Sequence, residues 1–225
     1  GSWAKSAIEL AQFAEAYAGW DFYVQPNPSE RRHGKRCRSE DIVAWEWFLV
    51  DLDPADGKSV PMTDLTDAAF DIINAVEAYV GKKYYPVTIF SGRGMQLWFR
   101  LEPQRLLLER GVAVEFPVTA LDLWGEPPIT VKKTLLLRDV VTCAQRYWLG
   151  QLASRVRNPD IVVDPSVSDL PRLMRCPGTI NSKTGKMAEF FRSYPGADRG
   201  ASPEEPGAIN NSGLAEGIIP YTPND

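Results

Sequence analysis

A chain of 225 residues, 44% hydrophobic and 24% charged, has ordinary globular composition and enough length for one sizeable core. No stretch approaches the roughly 18–20 apolar residues of a membrane span and the N-terminus shows no signal-peptide pattern, so a cytoplasmic protein without membrane contact is expected. The net charge of −4 conceals a neutral body, because residues 196–225 alone hold five acids and one base; local basic clusters, not the total, then govern any contact with nucleic acid.

In chain order, Gly1-Ser2 reads as a cloning remnant, and residues 4–18 space Ile8, Phe13 and Tyr17 among alanines, which predicts a helix ended by Gly19. Phe22 to Val24 reads as a short strand and residues 25–38 as a loop. Residues 45–53 (WEWFLVDLD) are apolar on both alternating faces until the aspartates, as expected of a central strand, and residues 54–57 end it. Asp64 or Thr66 is expected to cap a helix reaching Val80, with Ala69, Ile72, Ile73, Val76 and Tyr79 on one side. Residues 84–90 and 95–101 predict two strands joined as a hairpin by SGRG. Residues 103–138 contain both a helical patch (RLLLER) and a hairpin signal around PPITVKKTLLL. A helix is expected over 139–156, with strands over 160–164 and 187–192. The whole reads as an α+β domain over residues 1–194, since strands and helices do not alternate regularly, followed by a Gly/Pro-rich linker over 195–225.

Several groups of side chains carry potential chemistry. Asp51 and Asp53, two apart on a strand, point to one face. Two carboxylates so close repel and resist desolvation unless a cation or base neutralises them, so the pair reads either as a divalent-cation site or as a strand running out into a polar turn. Cys37, Cys143 and Cys176 are widely spaced and His33 is the only histidine, which excludes a disulfide framework and a standard structural zinc site. Any catalytic metal must rest on oxygen, as Mg²⁺ or Mn²⁺ would. Ser91, Gly92, Arg93 and Gly94 form either a phosphate cradle, with a close-approaching backbone, hydroxyl and guanidinium, or a plain hairpin turn with an exposed arginine. Asp164 ends an apolar strand as Asp51 does and would add a third carboxylate. Beyond it, Arg172, Arg175, Asn181 and Lys183 either gather donors for an anionic ligand or line a solvated loop, and Arg31, Arg32, Lys35, Arg36 and Arg38 offer DNA contacts or a solvated basic loop. The tryptophans lie mostly within apolar runs and read as core.

The order of these pieces, VDLDP, then SGRG between two strands, then VVD followed by RLMRCPGTINSK, resembles the archaeo-eukaryotic primase superfamily, in particular the prim-pol enzymes of phages, plasmids and mobile elements. QPNP and GKRCRSEDI resemble the segment preceding its first motif, and the likeness covers about residues 20–192. It implies a catalytic core with a mixed or antiparallel sheet, an RRM-like unit, flanked by helices. It further implies Asp51, Asp53 and Asp164 as ligands of a two-ion Mg²⁺ or Mn²⁺ site, and Ser91 and Arg93, with their glycines, as holders of the incoming triphosphate. Arg172, Arg175, Asn181 and Lys183 would contact nucleotide or template. Gln96 stands at a nucleotide-binding position where the second motif usually has a histidine, which implies either weaker nucleotide binding or binding displaced to other basic groups such as Arg93 and Arg172, with metal chemistry retained. The activity implied is primer synthesis on single-stranded DNA from NTP or dNTP, with a helicase or replication proteins beyond the linker. A replication-initiator that kept the fold without catalysis, or an unrelated metal-dependent nuclease, are the competing readings.

Overall fold

The computed structural model describes residue 12 and residues 21–30, 37–106, 111–118 and 129–191. Apart from residue 12, the expected N-terminal helix lies outside them, as do the basic residues Arg31, Arg32, Lys35 and Arg36 and the expected linker. In chain order the elements are β1 (Tyr23–Val24), β2 (Ala44–Pro54), α1 (Met62–Val80), β3 (Val87–Phe90), β4 (Met95–Arg105), β5 (Gly111–Val118), β6 (Ile129–Leu136), α2 (Leu137–Ala153), β7 (Ile161–Val163), β8 (Met174–Arg175) and β9 (Glu189–Phe190). Short 3-10 turns cover Ser39–Asp41 and Pro165–Ser168.

The long apolar run 44–54 takes an interior place in a five-stranded sheet of order β7-β2-β4-β3-β9, in which every neighbouring pair is antiparallel. Taken as β2-α1-β3-β4-α2-β7, this is the β-α-β-β-α-β order of an RRM-like unit. The β5–β6 hairpin is inserted before α2, and β9 is added at the far edge. The chain is an α+β fold with antiparallel sheets. Alternation along β2 puts Phe48, Val50 and Leu52 on one face, opposite Phe99, Leu97 and Met95 of β4. These side chains join Leu65, Ile72 and Val76 of α1, and Val141, Leu149 and Leu152 of α2, in one buried cluster. Leu49, Asp51 and Asp53 therefore look to the other face.

Both long helices form where the periodicity placed them, with shifted ends. α1 begins at Met62, capped by the extended backbone of Pro61 instead of a side chain of Asp64 or Thr66. Proline's fixed φ sets the entry, and Asp64 stays in the first turn, where its charge suits the helix dipole and its Oδ2 accepts from Asn158 Nδ2 at 3.0 Å. Thr66 is inside the helix and donates its hydroxyl to the Met62 carbonyl. Gly81, at φ 70°, closes the helix in the left-handed conformation that glycine adopts without strain. β4 continues to Arg105, so the RLLLER patch starts in a strand, and residues 107–110 lie outside the described ones. Within that hairpin signal, residues 129–136 do supply one arm of a hairpin: β6 pairs with β5 from Ile129↔Val118 to Leu136↔Gly111.

The β2–β4 register slips between Trp45 and Trp47, opposite the stretch holding Pro103, which has no N–H to give the ladder. Asn27 fills the gap. Its Oδ1 accepts from the Glu46 and Trp47 amides at 3.0 and 3.1 Å, while its Nδ2 donates to the Leu170 carbonyl. Asn27 is buried, so truncation would strand several backbone groups without water. Asn27→Ala is expected to destabilise the protein by about 1–3 kcal/mol. Chemical denaturation of the variant beside the wild type measures this, and an unchanged midpoint would contradict it.

Candidate functional site

The acidic pair sits on β2 where the strand leaves the core. Asp51 lies directly opposite Gln96 on β4, and Asp53 opposite Val162 on β7. Asp164 follows β7 immediately, and its amide donates to the Asp51 carbonyl at 2.9 Å. Three carboxylates from two adjacent strands are thus brought into electrostatic contact. Burial pushes the Asp51 carboxyl up to about 8, and the neighbouring charges of Asp53 and Asp164 push the same way. Arg172 and a hydrogen bond from the Gln96 side chain oppose the rise. Asp53 is also raised, first by burial and then by Asp164, against the pull of Arg93 and Lys183. Asp51 Oδ1 is buried with no hydrogen-bond partner.

These observations test the expected Mg²⁺ or Mn²⁺. The donor chemistry fits: hard oxygens, an orphaned carboxylate atom, and mutual repulsion that a cation relieves. The ligand set is not assembled in this conformation, since among the described residues no three His, Cys, Asp or Glu side chains form a group able to hold an ion. Asp164 explains part of this. Its Oδ1 accepts from the Ser166 amide at 2.8 Å and its Oδ2 from the Ser166 hydroxyl at 2.5 Å, capping the turn that follows. The Asp-Pro-Ser order is itself a start signal for such a turn.

The SGRG turn is pressed onto this strand. A β-carbon at Gly94 would stand 2.2 Å from the Leu52 carbonyl oxygen and 2.6 Å from Asp53 Oδ1. At Gly92, φ 88°, it would stand 2.9 Å from Asn181 Cβ. Both glycines are there because two other segments touch the turn from opposite sides. Ser91 builds the turn itself: its Oγ accepts from the Gly94 amide and donates to the Gly94 carbonyl, and its amide bonds that carbonyl at 2.9 Å. The hydroxyl is therefore engaged within the turn. Arg93 is exposed beside Asp53, with one weak contact to the Pro54 carbonyl at 3.4 Å.

The donors of residues 172–183 divide. Arg172 is tied to Asp169 at 2.9 Å and to the Ser166 carbonyl, close enough to Asp51 to lower its pKa. Lys183 is exposed and acts on Asp53. Asn181 is buried and braces the glycine turn, its Nδ2 donating to the Ser91 carbonyl at 3.0 Å and its Oδ1 accepting from the Lys183 amide. Arg175 is directed elsewhere: buried at 6% exposure, it binds Asp21 at 2.6 Å and the Tyr23 hydroxyl at 2.9 Å. Asp21 in turn accepts from the amide and hydroxyl of Ser182, and these bonds together with Arg175 hold its carboxyl down at about 2. Sequence reasoning missed Asp21, since its partners lie more than 150 residues away and only the β1–β8 pairing brings them together. Of the basic residues of the 31–38 stretch, Arg38 is the one described, exposed and paired with Glu40 at 3.4 Å.

No family model matches the chain, and no curated protein matches it. Among solved structures it is similar to the AEP domain of cyanophage S-2L primase-polymerase. The identity is 11%, over 96% of this chain and 77% of that one, with a TM-score of 0.49. Among the described residues no helix is long and apolar enough to cross a membrane.

Gly94→Ala must push β4 from β2 against backbone, and is expected to cost about 1–3 kcal/mol of stability, measured by denaturation. Asp51 gives a pH signature. Its folded carboxyl, raised from 3.8 to about 8, binds a proton more tightly than the unfolded one, so its contribution is complete below about pH 4 and is lost as pH rises through about 8. Without divalent ions, Asp51→Asn should melt above the wild type at pH 8, the gap closing toward pH 4. Parallel melting curves at all pH values would refute this.

Proposed function

We propose that this chain is a template-dependent primase-polymerase domain, synthesising short primers on single-stranded DNA and extending them by nucleotidyl transfer with Mg²⁺ or Mn²⁺. One observation carries the reading. Asp51 and Asp53 at the end of β2 and Asp164 just after the adjacent β7 are mutually repelling carboxylates, and two exposed cations from separate loops, Arg93 and Lys183, act on Asp53. Acids beside free bases suit a ligand that is both a metal complex and a polyanion, as a nucleoside triphosphate is.

In this mechanism Asp51, Asp53 and Asp164 would hold the cations. A divalent ion bound there supplies Lewis-acid stabilisation of phosphoryl oxygens and lowers the pKa of an attacking 3′-hydroxyl. Arg93 and Lys183 bind triphosphate oxygens and fix the nucleotide against the acidic strand, with charge placed before the reaction begins. Ser91, Gly92, Gly94 and Asn181 set where Arg93 stands, by the close approaches and hydrogen bonds of the turn. Arg172 counters the charge of Asp51 from the other side.

The decisive experiment is primer synthesis on single-stranded template, with ribo- and deoxynucleotides, with and without Mn²⁺. The expected result is metal-dependent product that falls to background in the Asp51→Ala, Asp53→Ala double variant while DNA binding persists. DNA binding without synthesis under any condition would instead identify an initiator module, and loss of the template would identify a nuclease.

A further inference from the structure

Residues 181–186 form a turn closed on itself. The Asn181 amide donates to the Lys186 carbonyl at 2.8 Å, and the Thr184 and Gly185 amides return to the Asn181 carbonyl at 3.1 and 2.8 Å. Residues 182–186 are all exposed, so the turn gains little from burial and depends on bonds to the rest of the chain for its place. One such hold is Asp21, whose Oδ1 accepts from the Ser182 amide at 2.9 Å and whose Oδ2 accepts from the Ser182 hydroxyl at 2.7 Å.

Asp21 also faces Arg175, and a buried guanidinium needs an acid whatever the turn does. The geometry shows a second task. An acid serving the guanidinium alone would offer both oxygens to its fork. Here Arg175 Nη1 meets Asp21 Oδ1 at 2.6 Å while Nη2 goes to the Tyr23 hydroxyl at 2.9 Å, which leaves Oδ2 for Ser182. The guanidinium carbon lies 4.8 Å from the centre of the Tyr23 ring, so Arg175 is held on two sides and Asp21 is held by it.

At its other end the turn is pressed on Gly92. A β-carbon there would stand 2.9 Å from Asn181 Cβ, 3.0 Å from the Lys186 carbonyl oxygen and 3.3 Å from Thr184 Oγ1, and Asn181 Nδ2 donates to the Ser91 carbonyl at 3.0 Å. Arg93 is the next residue. Ser182 itself stands between Asn181, which braces the glycine turn, and Lys183, so whatever fixes Ser182 fixes the root of both.

We infer that Asp21 is a positioning residue of the candidate site: through Ser182 it holds the 181–186 turn, which in turn sets the glycine turn and the places of Arg93 and Lys183. That these two cations serve a nucleotide rests on the proposed function; the coupling of Asp21 to the glycine turn does not.

Two readings on the full chain test it, for Asp21→Asn, Ser182→Ala and Ser182→Thr beside the wild type. Backbone amide exchange over residues 90–95, under native conditions, follows the glycine turn without reference to activity. Primer extension at saturating Mn²⁺ gives the nucleotide KM and kcat. Asp21→Asn and Ser182→Ala should speed exchange over 90–95 and raise the nucleotide KM, each by roughly 3–30-fold, with kcat changed less than KM. Ser182→Thr keeps the hydroxyl and should restore both. Asn27→Ala lowers stability elsewhere in the fold and should move neither. If Asp21→Asn does not fold, Ser182→Ala decides, because an exposed serine is not needed for folding. Unchanged exchange over 90–95 in Ser182→Ala would overturn the inference, as would an equal response in Asn27→Ala. A wild type that makes no product while exchange still responds to Asp21 and Ser182 would overturn the proposed function and leave the coupling standing.

Discussion

Gly94 touches β2 so closely that nothing larger than hydrogen fits between its Cα and the Leu52 carbonyl. That approach ties the hairpin turn to the acidic strand, and the rest of the site is arranged around it. Arg93 is carried to Asp53 because the next residue is pinned. On its other side the turn meets Asn181 through Gly92, so one tripeptide is held between a sheet strand and a loop some ninety residues later in the chain. The loop is itself held, by Ser182 on Asp21 and by Asp21 on Arg175. An anchor near the start of the chain thus supports a side chain at the site without touching it.

The acids are the electrostatic opposite of this well-satisfied frame. Asp51 is desolvated, repelled by two neighbours and left with one bare oxygen, and Asp53 is raised as well. Hydrophobic burial of β2 and β4 is strong enough to keep them there: Val50, Leu52, Leu97 and Phe99 between them are wholly buried. Local destabilisation maintained by a strong surrounding core is the usual state of a site that waits for a charged ligand.

Much of this was legible in the sequence, for physical reasons that differ by element. β2 announced itself by an apolar run longer than its neighbours and by carboxylates at its end, and α1 by apolar residues every three to four positions. The SGRG hairpin was visible because glycines in a turn have a distinct signature. Helix starts were less legible, since Pro61 caps α1 through its backbone conformation and leaves the Asp64 and Thr66 side chains free for other bonds. The roles of Asn27, Asp21 and Arg175 were not legible at all. Asp21 and Arg175 meet across 154 residues and Asn27 reaches Leu170 across 143 as well as Glu46 and Trp47 on β2, and no local pattern encodes such pairings.

The segment 172–183 shows why a count of donors is a poor guide to a binding site. Arg175 and Asn181 are consumed by the frame, while Arg172 and Lys183 act on Asp51 and Asp53. The division follows burial: a buried guanidinium or amide must be satisfied inside the protein, whereas an exposed ammonium or a half-buried guanidinium retains capacity for another anion. On the proposed function this capacity is conditional. In the absence of a metal, Arg93 and Lys183 serve as counter-charges to Asp53; positive charge delivered to the carboxylates takes over that task. On that reading the same two side chains would face a triphosphate with their hold on Asp53 weakened, so cation and nucleotide would each favour the binding of the other through the charges of three aspartates.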